Sequence, residues 1–316
     1  MSERLSDLKE RIAAADQRIR PYVRKTPLEP ARGVDDPLYL KLECLQKTRS
    51  FKLRGALNKL LSMTPEARAQ GVITASTGNH GLAVAFGLDL LDAPGKIVLP
   101  ETAAPKKVAL LERYNVELVF HGQDSATSEA YARELAAKSG QPFISPYNDW
   151  EVVAGQGTIG IELLDQLPSL ASVYVPVGGG GLIGGIAGYL KAVQPEVEIV
   201  GCLPAHSPVM HECIEAGKIV AGTVKPTLSD GTAGGVEAGA ITFPLCRDLV
   251  DRWIRVSEAE IQSGMQWAFE EQGLVVEGAA GVSIASYKKQ PPTKRPAAVI
   301  LCGGNVDIAQ FKKLAC

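Results

Sequence analysis

Short runs of apolar, largely β-branched residues alternate along this chain with longer amphipathic stretches. That alternation predicts a parallel sheet covered by helices, an α/β fold. Val72 to Ala75 reads as a strand, followed by a glycine-containing turn and a helix from about Gly81. Lys96 to Leu99 is a second strand with a helix over Lys106 to Tyr114, and Glu117 to His121 a third with a helix over Ser125 to Ser139. Val173 to Val177 runs into four glycines and then a helix over Leu182 to Val193. Glu198 to Leu203 and Ala297 to Cys302 complete the set of buried strands.

With 316 residues the chain is long enough for two lobes. The net charge of −2 and the lack of a basic block argue against a nucleic-acid partner. The stretch from Met1 to Arg20 is charged and helix-like, without the apolar centre of a signal peptide. No apolar run approaches the roughly 18 residues that span a bilayer. Six cysteines (Cys44, Cys202, Cys213, Cys246, Cys302 and Cys316) are scattered without a CxxC pair, so a reducing cytoplasm is expected, with no disulfide or zinc framework. The chain stops soon after the last strand, and no appended regulatory domain is expected. Glycine is abundant, at 32 residues, and gathers in clusters that suit ligand sites lined by backbone.

Four constellations carry candidate chemistry. Ser50-Phe51-Lys52-Leu53-Arg54-Gly55 opens a helix through Asn58 and Leu61. A lysine at a helix start is ordinarily a solvated residue, but Schiff-base chemistry requires such an amine. Ser76-Thr77-Gly78-Asn79-His80-Gly81 follows a strand directly, where a helix N-terminus offers free amides to a carboxylate. The alternative there is a plain turn capped by Asn79. Gly178-Gly179-Gly180-Gly181 exposes several amides to one point and suits a phosphate, without the Lys-Ser/Thr of a P-loop. Leu301-Cys302-Gly303-Gly304-Asn305, taken alone, suggests a tight turn with a buried thiol.

In this order and spacing, the four elements resemble pyridoxal-phosphate (PLP) enzymes of fold type II, the tryptophan synthase β-like fold, in the serine/threonine dehydratase and serine racemase branch. The resemblance extends to Gly155-Gln156-Gly157-Thr158, Ser229-Asp230-Gly231 and the stretch around Glu277, covering the chain from about Ile19 to Asp307. It implies two lobes, each with a mainly parallel sheet: a small one over residues 46–144, inserted in a large one made of 1–45 and 145–316. A homodimer is implied as well.

Residue by residue, the resemblance implies that Lys52 carries PLP as a Schiff base and that Phe51 packs beside the ring. Asn79 would bond the cofactor's 3-hydroxyl, and Gly178, Gly179, Gly180 and Gly181, with the amide of Leu182, would cradle its phosphate. Ser76, Thr77, Gly78 and the amides of Asn79 and His80 would hold the carboxylate of a small amino-acid substrate. Gly231 would line the ring edge through its backbone, with Glu277 nearby and Cys302 against the pyridine nitrogen. A neutral thiol there, in place of a carboxylate, leaves that nitrogen unprotonated and favours β-elimination.

The implied activity is dehydration of a threonine- or serine-type 3-hydroxy amino acid to a 2-oxo acid and ammonium. Alternatives are an amino-acid racemase, with Thr77 as the proton donor opposite Lys52, or a dehydratase for another substrate such as a hydroxyaspartate. β-Replacement and binding without turnover are further alternatives. Leu203 and Val209 stand where some relatives place acidic cation ligands, so no metal is expected. The arginine that some racemases direct at the substrate aligns with Ser128, beside Glu129. The segment from Asp230 to Glu237 departs from the threonine and racemase versions.

Overall fold

The computed structural model of the protein describes residues 2–315. Nine strands form two sheets: β1 Leu28–Pro30, β2 Leu38–Lys41, β3 Val72–Ala75, β4 Gly95–Leu99, β5 Glu117–Phe120, β6 Ser172–Pro176, β7 Glu198–Pro204, β8 Arg252–Val256 and β9 Ala297–Ile300. The larger sheet has the order β1-β2-β9-β6-β7-β8 and the smaller β3-β4-β5. Among the paired strands of the described residues, β1–β2 alone is antiparallel. Pairing of β2 with β9 sets Leu38 opposite Ala297, so the larger sheet is built from both ends of the chain. All three strands of the smaller sheet come from the stretch between them.

The composition of the strands explains their place. β6 and β9 are buried along their whole length, as expected for central parallel strands with helices on both faces. Asp149 starts the helix Trp150–Gln166 by accepting the amides of Glu151 and Val152 through its carboxylate. That helix lies between Lys52–Ser62 and Gly181–Val193, and glycines set the spacing. A Cβ on Gly155 would stand 2.5 Å from the carbonyl of Arg54, and one on Gly185 would stand 2.4 Å from that of Val153. Close backbone packing therefore joins the helix that begins at Lys52 to the helix that follows the four-glycine loop.

A fully buried charge cluster fixes the same region. Arg54 places its guanidinium between Glu43, at 2.8 Å, and Glu162, at 2.7 Å, and Lys41 joins Glu162 at 2.5 Å. Burial opposes the charge on Arg54, but the two carboxylates outweigh it and raise its pKa.

The predicted elements are all present: the strand Val72–Ala75 and the helix Ser125–Ser139 have the expected ends, and the others are shifted. The helix expected from Gly81 begins at Asn79, and the one expected over Lys106 to Tyr114 spans Pro105–Leu111. The last strand ends at Ile300, before Cys302. Its continuation turns toward the Lys52 segment: the Phe51 amide bonds the Cys302 carbonyl, and Ser50 pairs with Gly303.

Candidate active site

Lys52 is the first residue of its helix, which has no acidic residue in its first turn. Its Nζ donates to the Pro146 carbonyl at 2.8 Å and lies 5.2 Å from the centre of the Phe51 ring. Burial lowers its pKa to about 8, against a smaller opposing pull from Cys302 and Glu277. The next residue after Pro146, Tyr147, lays its ring on the glycine loop. A Cβ on Gly179 would stand 2.4 Å from that ring, and one on Gly178 would stand 2.9 Å from the Thr232 carbonyl. Gly180 adopts φ +86°, which a side chain would strain. The first bond of the following helix runs from the Gly184 amide to the Gly180 carbonyl. The amides of Gly181, Leu182 and Ile183 therefore precede the helical ladder and stand at its positive end.

Thr232 leads back through Gly231 to Glu277, whose Oε1 is 3.7 Å from the Cβ position of Gly231. Glu277 is buried, and burial raises its pKa to about 7, although the Asn79 amide pulls it down. Asn79 Nδ2 donates to both Glu277 oxygens at 2.9 Å, while its Oδ1 accepts from Asn305 at 2.7 Å. Asn305 also donates to the Thr48 carbonyl, tying the turn after β9 to the segment before Lys52. The Cys302 thiol, 3.9 Å from Glu277 Oε1, is kept protonated by burial, which raises its pKa well above the ordinary value. These contacts close a ring from Lys52 through Tyr147 and the glycine loop to Glu277, Asn79 and Cys302.

The turn from Ser76 to His80 forms one wall. The Gly78 amide bonds Ser76 Oγ at 3.2 Å, and the first helical bond runs from the Leu82 amide to the Gly78 carbonyl. The amides of Asn79 and His80 precede that ladder, and Thr77 is partly exposed between them and Ser76. The His80 ring turns inward to the Ile144 carbonyl at 3.0 Å, and burial lowers its pKa to about 3. It contributes a backbone group to the cleft while its ring is neutral and structural.

The residues fit a phosphorylated aldehyde cofactor on three counts. The loop admits no Cβ at Gly178 or Gly179, and its free amides can surround an anion. The only amine in the ring of contacts is desolvated. Ser50 Oγ, beside Lys52, is buried without a hydrogen-bond partner, and so is Thr48 Oγ1.

The family of pyridoxal-phosphate dependent enzymes matches residues 19–303. The chain belongs to this family. It is 42% identical over 303 residues to the L-threonine ammonia-lyase of Geobacter sulfurreducens, covering 94% of this chain and 75% of that protein. It is 34% identical over 311 residues to a serine racemase of Arabidopsis thaliana, covering 95% of this chain and 93% of the relative. The processed form of threonine deaminase isoform 2 from Solanum lycopersicum superposes with a TM-score of 0.93 at 31% identity, covering 99% of this chain and 93% of that one. The fold is thus that of the fold type II PLP enzymes, and the cofactor is PLP.

Several neighbours of the site carry no sequence motif. Tyr147, Pro146 and Arg133 enter by tertiary contact alone, whereas Asn305, in the turn after β9, and Glu237, which meets Arg133 at 2.9 Å, stand in stretches the sequence marks without giving them a role. Ser128 is buried, with its hydroxyl donated to the His121 and Asp124 carbonyls, and takes no part in the cleft. Leu203 and Val209 are buried core residues. Among the described residues no group of three His, Cys, Asp or Glu side chains could hold a metal ion.

Proposed function

We propose that this protein is a PLP-dependent ammonia-lyase that removes water and then ammonia from a small 3-hydroxy amino acid of the threonine or serine type. The observation that carries the reading is the desolvated Lys52 amine, opposite the glycine cradle and beside a neutral thiol in place of a carboxylate. The threonine ammonia-lyase relative supports the same substrate class. Bound PLP supplies an electron sink for the bonds at the substrate's Cα.

In this reading Lys52 holds the cofactor, takes the Cα proton at Nζ and keeps it within the cleft. Gly178 to Gly181 and the Leu182 amide take the phosphate, and Phe51 flanks the ring. Ser76, Thr77, Gly78 and the amides of Asn79 and His80 orient the substrate carboxylate. Asn79, clamped between Asn305 and Glu277, presents a fixed amide edge to the ring's hydroxyl. Gly231 and Glu277 bound the ring edge, and Cys302 faces its nitrogen as an uncharged thiol. Such a thiol does not stabilise positive charge on that nitrogen, which favours departure of a leaving group over storage of charge in the ring.

Residues 46–144 form the small lobe and 1–45 with 145–316 the large one, consistent with the two sheets. The protein works as a homodimer in the reducing cytoplasm, and its five described cysteines, all buried and unpaired, support that compartment. Cys316 lies outside the described residues. No described helix is long and apolar enough to cross a membrane.

Racemisation by the same residues requires a proton donor on the face opposite Lys52, and Thr77 is this chain's candidate. Its branched Cβ restricts χ1 and so limits the positions from which the hydroxyl could reach Cα. Each 3-hydroxy amino acid of a panel, supplied as one enantiomer, is assayed for 2-oxo acid, ammonium and the opposite enantiomer. The lyase reading expects 2-oxo acid and ammonium to dominate, with Thr77→Ala abolishing the minor racemisation while largely sparing elimination. An opposite enantiomer that forms faster than 2-oxo acid overturns it.

A further inference from the structure

Asn305, in the turn after β9, reaches two parts of the site with one side-chain nitrogen. Its Nδ2 donates to the Thr48 carbonyl at 2.8 Å and to Asn79 Oδ1 at 2.7 Å. A peptide carbonyl only accepts, so Thr48 obliges Asn305 to present its NH2 group, and the two acceptors engage both of its hydrogens. Asn79 must then answer with its oxygen, which turns its own NH2 group toward Glu277. Both Glu277 oxygens lie 2.9 Å from Asn79 Nδ2. Seen from that nitrogen, the oxygens of one carboxylate stand much closer together than the two hydrogens of an amide, so one hydrogen is shared between them. The other remains for a ligand, on a side chain that is partly exposed in the wall of the cleft.

Glu277 does not impose this orientation by itself. Burial raises its pKa to about 7, and its protonated form donates, so it can face either end of an amide. The groups around it do not fix its ionisation. Asp230 and Lys107 act on it with opposite signs and pair with each other at 3.3 Å. Lys52 loses its proton at about pH 8, and the buried thiols of Cys302 and Cys44 stay neutral. The Thr48 carbonyl keeps one role at every pH.

We infer that Asn305 is a positioning residue for the cofactor: anchored on the Thr48 carbonyl, it holds the Asn79 amide with its hydrogens toward Glu277 and the ring's 3-oxygen, so that the site receives this oxygen as an acceptor. The inference rests on the placement of the ring against Asn79 in the ammonia-lyase reading and deepens it. A packing role for Asn305 would depend on the shape of its side chain, whereas this role depends on polarity.

The test compares binding of PLP with that of its 3-deoxy analogue, each dialysed to equilibrium against apoenzyme at about pH 6 and about pH 8.5. The intrinsic difference between the two aldehydes is common to every variant, so a change in the ratio of dissociation constants isolates the contact with the oxygen. Asn305→Asp keeps the size of the side chain but offers only acceptors, and Asn79 then turns its NH2 group toward it. The preference for PLP is expected to fall about tenfold at both pH values, the effect of one hydrogen bond to a charged group. Asn305→Leu, of similar size and apolar, leaves the orientation to Glu277. The preference should then fall about threefold at the lower pH, where Glu277 is protonated, and hold at the higher, where its carboxylate only accepts. An unchanged ratio in Asn305→Asp overturns the inference, as does an equal fall at both pH values in Asn305→Leu. If neither variant retains cofactor, wild-type protein isotope-labelled in its five asparagines decides. The side-chain hydrogens of Asn305 are expected to exchange with solvent at least about tenfold more slowly than those of the exposed Asn115, and equal rates overturn the inference. A panel of 3-hydroxy amino acids that yields no 2-oxo acid refutes the activity and leaves these ratios to judge Asn305.

Discussion

Covalent loading of the cofactor tests the electrostatics of Lys52 directly, because only a neutral amine attacks an aldehyde. Burial brings its pKa from the ordinary 10.5 to about 8. A change of that size favours the neutral amine by roughly 3 kcal/mol, taking ~1.4 kcal/mol per pKa unit. At pH 7 about one Lys52 in ten is then neutral, against about one in three thousand for a solvated lysine, a difference of roughly 300-fold. The sign follows from the direction: the loading rate rises about tenfold per pH unit up to about 8 and levels off above it. Apoenzyme is mixed with PLP at pH values from about 6 to 10, attachment is fixed with borohydride at timed intervals, and mass spectrometry locates the modified residue. Lys52→Ala should show no fixed cofactor. A rate that keeps climbing beyond about pH 9.5, or label on another lysine, refutes the reasoning.

Three further outcomes follow from packing and charge. Gly179→Ala sets a methyl 2.4 Å from the Tyr147 ring, and a forced shift of ~1–3 kcal/mol weakens PLP affinity about tenfold or more with the fold intact; unchanged affinity by equilibrium dialysis removes the loop from the phosphate site. Cys302→Asp places a second carboxyl beside Glu277, where one of the two is held protonated, so both the cofactor spectrum and the elimination rate should change. If neither moves, Cys302 does not face the ring. Arg54→Met leaves Glu43 and Glu162 with Lys41 alone in a sealed interior and should cost about 3–5 kcal/mol in urea unfolding, whereas a loss under about 1 kcal/mol contradicts the cluster's role.

What could be read in the sequence was the chemistry that backbone and local pattern supply. The glycine loop, the Ser76 to His80 turn and Lys52 each lie at the junction of a helix with a strand or turn, so their context is local. Tyr147 and Arg133 were not legible, and the contacts of Asn305 and Glu237 were not, because each is made with residues distant along the chain. Asn305 stood in a stretch that reads as a tight turn, and nothing local marks its amide as the brace of Asn79. β8 escaped because arginines alternate with apolar residues on a strand at the edge of the sheet. The helix Trp150–Gln166 is weakly marked in the sequence because its glycines lower helix propensity, although they serve close helix packing. The last strand ends short of the expected Cys302 because burial continues past Ile300, while the chain there has turned to meet Ser50 and Phe51.

The low basicity of Lys52 has a cause deeper than burial alone. Lys52 opens a helix whose first turn contains no acidic residue, and Phe51 before it makes no capping bond through its side chain, so the amine stands near the positive end of the helix dipole. Desolvation and dipole thus act in the same sense against the ammonium form. An unrestrained carboxylate nearby would undo both. The acid placed by the fold, Glu277, is buried to a pKa of about 7 and bound through both oxygens by Asn79, and Asn305 holds Asn79 in turn. The Cys302 thiol remains uncharged for the same reason of burial. The strong countercharges of this region are two residues further along the helix, where Arg54 is sealed with Glu43 and Glu162. Moving full ionic pairing from Lys52 to Arg54 lets one helix be anchored by charge while its first side chain keeps an amine that loses its proton at about pH 8, far more readily than a solvated lysine.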